Sequence, residues 1–248
     1  MIYVCSDIHG HYDLYLALLE RLSLKPSDTL YILGDVIDRG PDGIKILQDM
    51  MKRPNVVPIL GNHEFTAAVC LPWLLEEVTA QSLAELDGTR WAAIQEWLIN
   101  GGGPTLRGLR ALTQDQRREI LDYIREMELY DEVEVGGRNY VLVHAGLEHF
   151  SPDKPLEDYE LSDFLFCRPI PDQNYGQDWF LVYGHTPTRL LRQQLGEVPS
   201  DGILFRGNQI AVDCGCGFGG SLGCLCLDTL AEIYIANEVK RNERASSP

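Results

Sequence analysis

Basic residues are scarce in this chain. It carries 21 Lys and Arg against 37 Asp and Glu in 248 residues, a formal charge of −16 with a pI near 4.7. Non-specific nucleic-acid affinity rests on clustered cations that neutralise phosphates, so this balance argues against nucleic acid as a partner. Long apolar runs are missing as well. None approaches the roughly 20 residues that span a bilayer, and no basic segment followed by an apolar one opens the chain in the manner of an export signal. The expectation is a cytoplasmic protein with no membrane partner. Cysteine occurs seven times, and an odd number without an export signal speaks for reduced thiols rather than a disulfide framework. Cys5, Cys70 and Cys167 read as small core residues. Internal repeats and low-complexity segments are absent from the sequence.

What is present begins with enough apolar residues, 45% of the total, to build one full core. The expectation is one domain over residues 1–236, with a helical insert at about 65–130 and a polar tail over 237–248, frayed from Lys240 to Pro248. A β-α-β-α-β pattern comes first: strands over Ile2–Cys5, Thr29–Leu33 and Val56–Leu60, with helices over Tyr12–Leu22 and Asp42–Lys52. Leu14, Leu18 and Leu22 give the first helix an apolar stripe at spacing four, and Ile44, Leu47 and Met51 do so for the second. Strands alternating with helices of this length imply a parallel sheet.

From Glu64 to about Tyr130 the pattern is helical, with Trp73, Leu74, Trp91, Trp97 and Leu98 spaced as buried faces. The cluster Asn100-Gly101-Gly102-Gly103-Pro104 reads as a turn. After Asp131 the chain is strand-rich. Val133–Val135, a Gly136-Gly137 turn and Tyr140–Val143 read as a hairpin, followed by Phe180–Tyr183, Ile203–Phe205, Ile210–Val212, Leu222–Leu227 and Glu232–Ile235. A second, mixed or antiparallel sheet packed on the first is expected.

Six short motifs then fall in order: Asp7-Ile8-His9-Gly10, Gly34-Asp35-Val36-Ile37-Asp38-Arg39-Gly40, Gly61-Asn62-His63-Glu64, Val143-His144-Ala145, Arg168 and Gly184-His185-Thr186. Five of them follow an apolar run or open the next helix, and loops at the carboxyl ends of strands converge where ligands of α/β folds bind. Asp7 and His9, two apart, can aim a carboxylate and an imidazole at one ion. Asp35 can bridge two ions, since an ionised carboxylate has two oxygens with spare lone pairs. Asn62, His144 and His185 supply the second ion. Mixed O and N ligands suit manganese first, with iron or zinc as alternatives, over calcium or magnesium.

Two divalent ions about 3.5–4 Å apart clamp a phosphate and make bridging water acidic enough to attack phosphorus directly. Arg39 can grip phosphate oxygens with two parallel hydrogen bonds. His63 stands beside a ligand without being needed as one, which makes it the candidate general acid, with Asp38 holding the imidazole cationic. A lone Asp-x-His arises by chance, and a lone His on an apolar run is more often a hydrogen-bonded core residue. Four of the six histidines in ordered motifs reverse that balance. His11 and His149 stay outside the set, as partly exposed surface residues. Cys214-x-Cys216 and Cys224-x-Cys226 suggest structural zinc, but their spacing is tighter than usual and alternate strand residues share a face. Buried thiols are expected.

These motifs resemble those of the phosphoprotein phosphatase family of metallophosphoesterases, in its short bacterial and phage-like form. The resemblance extends over roughly Met1 to Ile235 and includes Trp97-Leu98-Ile99-Asn100-Gly101-Gly102 with Thr105-Leu106. It implies a calcineurin-like αββα sandwich, with one ion on Asp7, His9 and Asp35 and the other on Asp35, Asn62, His144 and His185. It also implies a His63 and Asp38 acid pair and phosphate contacts from Arg39 and Arg168, the latter within Phe166-Cys167-Arg168, where relatives carry Trp at the Phe166 position. Phe218 stands where a Tyr is common, and Val212-Asp213-Cys214-Gly215 where Ile-Asp-Thr-Gly is frequent.

Three function classes follow. The first is hydrolysis of phosphoserine or phosphothreonine in proteins, with phosphotyrosine and small phosphoesters as further substrates. The second is symmetrical cleavage of a dinucleoside polyphosphate such as diadenosine tetraphosphate; those relatives commonly have Ala at the position of Asp38 and Asp at that of Glu64, which favours the phosphatase. The third is a non-catalytic binding module on the same fold, and such proteins lose ligands that are all present here.

Overall fold

A computed structural model describes residues 1–75, 88–175 and 179–237. Alternation along each strand gives it two apolar faces, and those faces divide the core into layers. In β1 (Ile2–Cys5) and β2 (Thr29–Leu33), Val4, Tyr31 and Leu33 point one way while Tyr3, Cys5, Leu30 and Ile32 point the other. The first group meets Tyr140 and Leu142 of β5 (Arg138–Val143), Val182 of β6 (Trp179–Tyr183) and Ile210 of β8 (Gln209–Ala211) in a layer between two sheets. The second group is covered by α1 (Tyr12–Leu22), α2 (Gly43–Met50) and α3 (Asn62–Leu75). Val141, Leu181 and Tyr183 pack outward on the far side, under α7 (Leu161–Leu165) and α8 (Thr188–Gln194). The result is two mixed β-sheets packed face to face and flanked by helices.

The first sheet has the order β10-β9-β1-β2-β3, where β3 is Val56–Ile59, β9 is Leu222–Cys226 and β10 is Glu232–Ile235. β1, β2 and β3 run parallel, with Cys5 opposite Ile32 and Leu33 opposite Ile59. The second has the order β4-β5-β6-β8-β7, where β4 is Tyr130–Val135 and β7 is Leu204–Arg206, and β5, β6 and β8 are parallel. Carboxyl ends of both parallel trios open on one edge of the sandwich, which is where the motifs lie.

The structure departs from the sequence expectations in four places. β9 and β10 return to the first sheet, with Cys224 opposite Cys5 on β1, instead of joining the second. The second helix ends at Met50, two residues before the expected Lys52, with Met50 buried and Met51 exposed. Trp91 and Leu98 are exposed, whereas Trp97 is fully buried. The glycine cluster is no turn: α4 (Gly88–Trp97) passes through a π-helical step (Leu98–Gly102) into α5 (Gly103–Arg110), and only Gly101 leaves helical geometry, at φ 110°. A further helix, α6 (Gln114–Arg125), starts on a capping box between Thr113 and Gln116. Residues 76–87 of the expected insert, residues 176–178 and residues 238–248 of the tail lie outside the described residues. No described helix is long and apolar enough to cross a membrane.

Candidate metal centre

Short carboxylate and imidazole side chains can meet at one point only if the backbone carrying them turns sharply. Nine non-glycine residues have positive φ among the described residues, and six of them are Asp7, His9, Asp35, Asp38, Arg39 and His185. Such conformations cost of order 1–3 kcal/mol each and persist where surrounding contacts over-determine them. Those contacts are visible. Asp7 and His9 donate backbone N–H groups to Gly34 O and Asp35 O at 3.1 and 2.9 Å, which laces the β1 loop to the β2 loop. Glu64, fully buried, accepts from the backbone N–H groups of Asp35, Val36 and Ile37 at 2.8, 2.8 and 3.1 Å. His185 N donates to Asp7 Oδ2 at 2.8 Å, tying the two sheets together. Gly184 must be small, because a Cβ there would lie 2.4 Å from the same Asp7 oxygen.

The ten sequence-selected residues are brought together at this edge. Asp35 is central. Its Oδ2 lies 3.6 Å from His9 Nε2 and 3.8 Å from His63 Nε2, and its Oδ1 lies 3.4 Å from His144 Nε2. Asp7 Oδ1 is 3.9 Å from His9 Nε2. On the other side, Asn62 Oδ1 is 2.9 Å from His144 Nε2 and 3.0 Å from His185 Nδ1, and those two nitrogens are 3.2 Å apart. Arg39 and Arg168 line the cleft above, about 480 Å³, with Asn62, His63 and His185. Arg168 is exposed, and Phe166 beside it meets Phe65 edge-on at 6.3 Å between centroids.

Tautomers decide whether these atoms suit a cation. His9 Nδ1 donates to Ile37 O at 3.0 Å and His144 Nδ1 donates to Leu33 O at 2.7 Å, so each ring turns an Nε2 lone pair inward. Burial, with Arg39 and His63 nearby, pushes the His9 pKa well below the usual range, and burial with His144 pushes His185 down to about 3. Both rings stay neutral. Three lone-pair atoms therefore converge, His144 Nε2 lying 2.9 Å from Asn62 Oδ1 and 3.4 Å from Asp35 Oδ1. They repel one another unless a cation lies among them, so the donor set fits divalent ions of the imidazole-accepting kind. Burial raises the Asp7 carboxyl to about 6, helped by Asp35.

His63 belongs to a separate network. Its Nδ1 donates to Asp38 Oδ2 at 2.7 Å. The same oxygen accepts from Trp97 Nε1 at 2.8 Å, and Asp38 Oδ1 accepts from Thr105 Oγ1 at 2.5 Å. Burial lowers the His63 pKa, but Asp35 and Asp38 outweigh it and bring the ring to about 9. Arg39 spans the two groups, donating to His9 Nε2 at 2.6 Å and to His63 Nε2 at 3.1 Å. His63 Nε2 can accept from Arg39 or carry a proton, not both, so protonation of His63 frees Arg39 Nη2 from this contact. Phe218 stacks on that guanidinium, 4.5 Å from Cζ to ring centroid, which gives it a place in the site without a hydroxyl.

Three contributors escaped sequence reasoning. Glu64 served only to separate function classes, although it organises the backbone of three site residues. Trp97 read as a buried face and Thr105 as part of a family segment, whereas both donate to Asp38. A buried indole N–H needs an acceptor, and that is the signal that pointed to Trp97. Cys214, Cys216, Cys224 and Cys226 are buried free thiols, and no potential metal-binding group among the described residues includes a cysteine. One such group, Glu148, His149 and Asp163, lies apart from the centre and is mostly exposed.

A family model described as calcineurin-like phosphoesterase matches residues 1–214. The chain is 32% identical over 148 residues to a symmetrical bis(5'-nucleosyl)-tetraphosphatase of Acidovorax sp. strain JS42, covering 59% of this chain and 44% of that enzyme. It thus spans less than half the length of that relative. It is 26% identical over 241 residues to serine/threonine-protein phosphatase 2 of Escherichia coli K12, covering 89% of this chain and 90% of that one. A solved structure described as a candidate diadenosine tetraphosphatase superposes with a TM-score of 0.60 at 18% identity, covering 94% of this chain and 92% of that one.

Proposed function

The chain belongs to the calcineurin-like phosphoesterases, and from that premise we propose that it is a metal-dependent phosphomonoester hydrolase acting on phosphoserine and phosphothreonine in proteins. The observation that carries this reading is the acid pair, His63 Nδ1 on Asp38 Oδ2 at 2.7 Å with Trp97 and Thr105 fixing the carboxylate. Leaving groups discriminate the substrates. A serine or threonine alkoxide is strongly basic and needs a proton as the P–O bond breaks. A nucleotide phosphate needs far less help, since its conjugate acid has a pKa of about 6. An elaborately held cationic imidazole suits the first.

Asp7, His9 and Asp35 would hold one divalent ion and Asp35, Asn62, His144 and His185 the other, manganese first by donor type, and when bound these ions polarise the phosphoryl group and lower the pKa of attacking water. The chain's own residues do the rest. Arg39, its Nη2 freed when His63 is protonated, grips phosphoryl oxygens, and Arg168 offers a second cation in the cleft. His63 Nε2 gives its proton to the leaving oxygen while Asp38 keeps the ring oriented. Attack is direct, with no phosphoenzyme, since every candidate role is filled without a Ser or Cys nucleophile.

A second reading has support of its own, because relatives named as symmetrical and asymmetrical bis(5'-nucleosyl)-tetraphosphatases match this chain, the asymmetrical one over 90% of it. Manganese-dependent turnover of a phosphoserine peptide beside a dinucleoside tetraphosphate, with Asp35→Asn as the inactive control, separates the two. Preference for the peptide is expected. Preference for the dinucleotide would move the protein to nucleotide turnover with the same ligand set.

A further inference from the structure

Beside the cleft lies a second cavity of about 300 Å³ that no step of the proposed reaction uses. Pro187, Leu190 and Phe218 wall both spaces, so the cavity adjoins the cleft that Arg39 lines. Its chemistry is apolar. Leu190 and Phe218 are large hydrophobics left 43% and 56% exposed there. The two charged residues of its lining, Arg189 and Asp201, are committed to each other through a two-pronged ion pair, Nε to Oδ1 at 2.8 Å and Nη2 to Oδ2 at 2.7 Å. They cancel, and neither offers the cavity an unsatisfied charge.

We propose that this cavity is a specificity subsite that takes one large apolar side chain of a phosphopeptide, next to the phosphorylated residue. The inference rests on the protein-phosphatase reading. A nucleotide base fits less well, because its edge carries donors and acceptors that lose water without gaining partners among these walls. An aliphatic or aromatic side chain loses nothing and gains burial. The shared wall also sets a register. Phe218 is stacked on Arg39, so a side chain packed on Phe218 is held at a fixed offset from the phosphate that Arg39 grips.

The test uses the full manganese-loaded chain and phosphoserine peptides identical except for Leu, Phe, Gly or Asp at single positions within three residues of the phosphoserine. At one position Leu or Phe should exceed Gly by about tenfold in kcat/KM, the scale of apolar pocket discrimination. The gain should lie in KM, as contacts present equally in ground and transition states require. Leu190→Asp should bring that ratio close to one, whereas Leu190→Met should keep it. A ratio near one at every position in the unsubstituted protein, or an unchanged ratio in Leu190→Asp, overturns the subsite while leaving the phosphatase reading intact. Hydrolysis of dinucleoside tetraphosphate with no peptide turnover would remove both.

Discussion

In the proposed reaction His63 donates the proton and Asp38 positions the ring that carries it. Asp35 and Asp38 outweigh burial to bring the His63 ring to about 9, so Nε2 is protonated at neutral pH and the proton is lost as pH rises. Turnover of phosphoserine should therefore fall on the alkaline side, through a limb that reports this ring. Asp38→Asn removes one raising partner, and the limb should move to lower pH. Turnover should drop by about tenfold or more while bound metal, measured by elemental analysis, stays constant. His63→Asn should cost about 10²–10⁴-fold on phosphoserine and much less on an activated aryl phosphate, whose leaving group needs no proton. Equal losses on both would count against His63 as the acid. Glu64 acts on backbone instead. Its two oxygens accept three N–H groups from Asp35, Val36 and Ile37, and Glu64→Gln turns an N–H₂ group against at least one of them. A loss of about 2–4 kcal/mol in urea unfolding is expected from the unsatisfied buried donors, together with weaker manganese binding.

At the scale of elements, the site depends on strand ends and on one kink in a helix. Gly101, at φ 110°, carries the carbonyl that accepts from Arg39 N at 2.9 Å, and a Cβ there would lie 2.8 Å from Arg39 Cγ. Gly101→Ala should cost about 1–3 kcal/mol in stability. By displacing Arg39 it should also weaken inhibition by inorganic phosphate, which competition assays would measure; undiminished phosphate binding would contradict the placement of Arg39. The same comparison shows what sequence can carry. The clustering of the candidate metal ligands was legible because a strand followed by a loop is a local pattern, and parallel strands bring their carboxyl ends together whatever lies between. Positive φ at Asp7, His9 and Asp35 was not legible, since glycine stands beside those positions, at Gly10 and Gly34, rather than at them, and their support comes from Glu64 and from another loop. The return of β9 to pair Cys224 with Cys5 depends on which sheet edge is free, a question that periodicity does not address. Met50 displaced Met51 because the helix stops there, and helix ends are set by tertiary contacts as much as by propensity.

The whole molecule stores like charge at one edge and should be stabilised by what neutralises it. Asp7 and Asp35 are buried side by side, and burial together with Asp35 raises Asp7 to about 6. Asp213, also buried, has its carboxyl pushed up by burial first and by Asp7 next. Their mutual repulsion is the part of the fold that a bound cation relieves, and the unfolded chain has no such arrangement to offer an ion. Binding to the folded state alone adds about 2.7 kcal/mol at a ligand concentration a hundredfold above Kd. For a chain of this size each kcal/mol moves the melting midpoint by about 2–4 °C, so saturating manganese should raise Tm by about 5–10 °C. A chelator should reverse the shift, and Asp35→Asn, which removes the central carboxylate, should abolish most of it. Zinc supplies the control for the cysteines. If Cys214, Cys216, Cys224 and Cys226 are plain core thiols, a variant with Asp7, His9 and Asp35 all replaced should bind no zinc and show no zinc-dependent shift. Retention of one zinc by that variant would place a metal on the cysteines and require their part of the core to be read again.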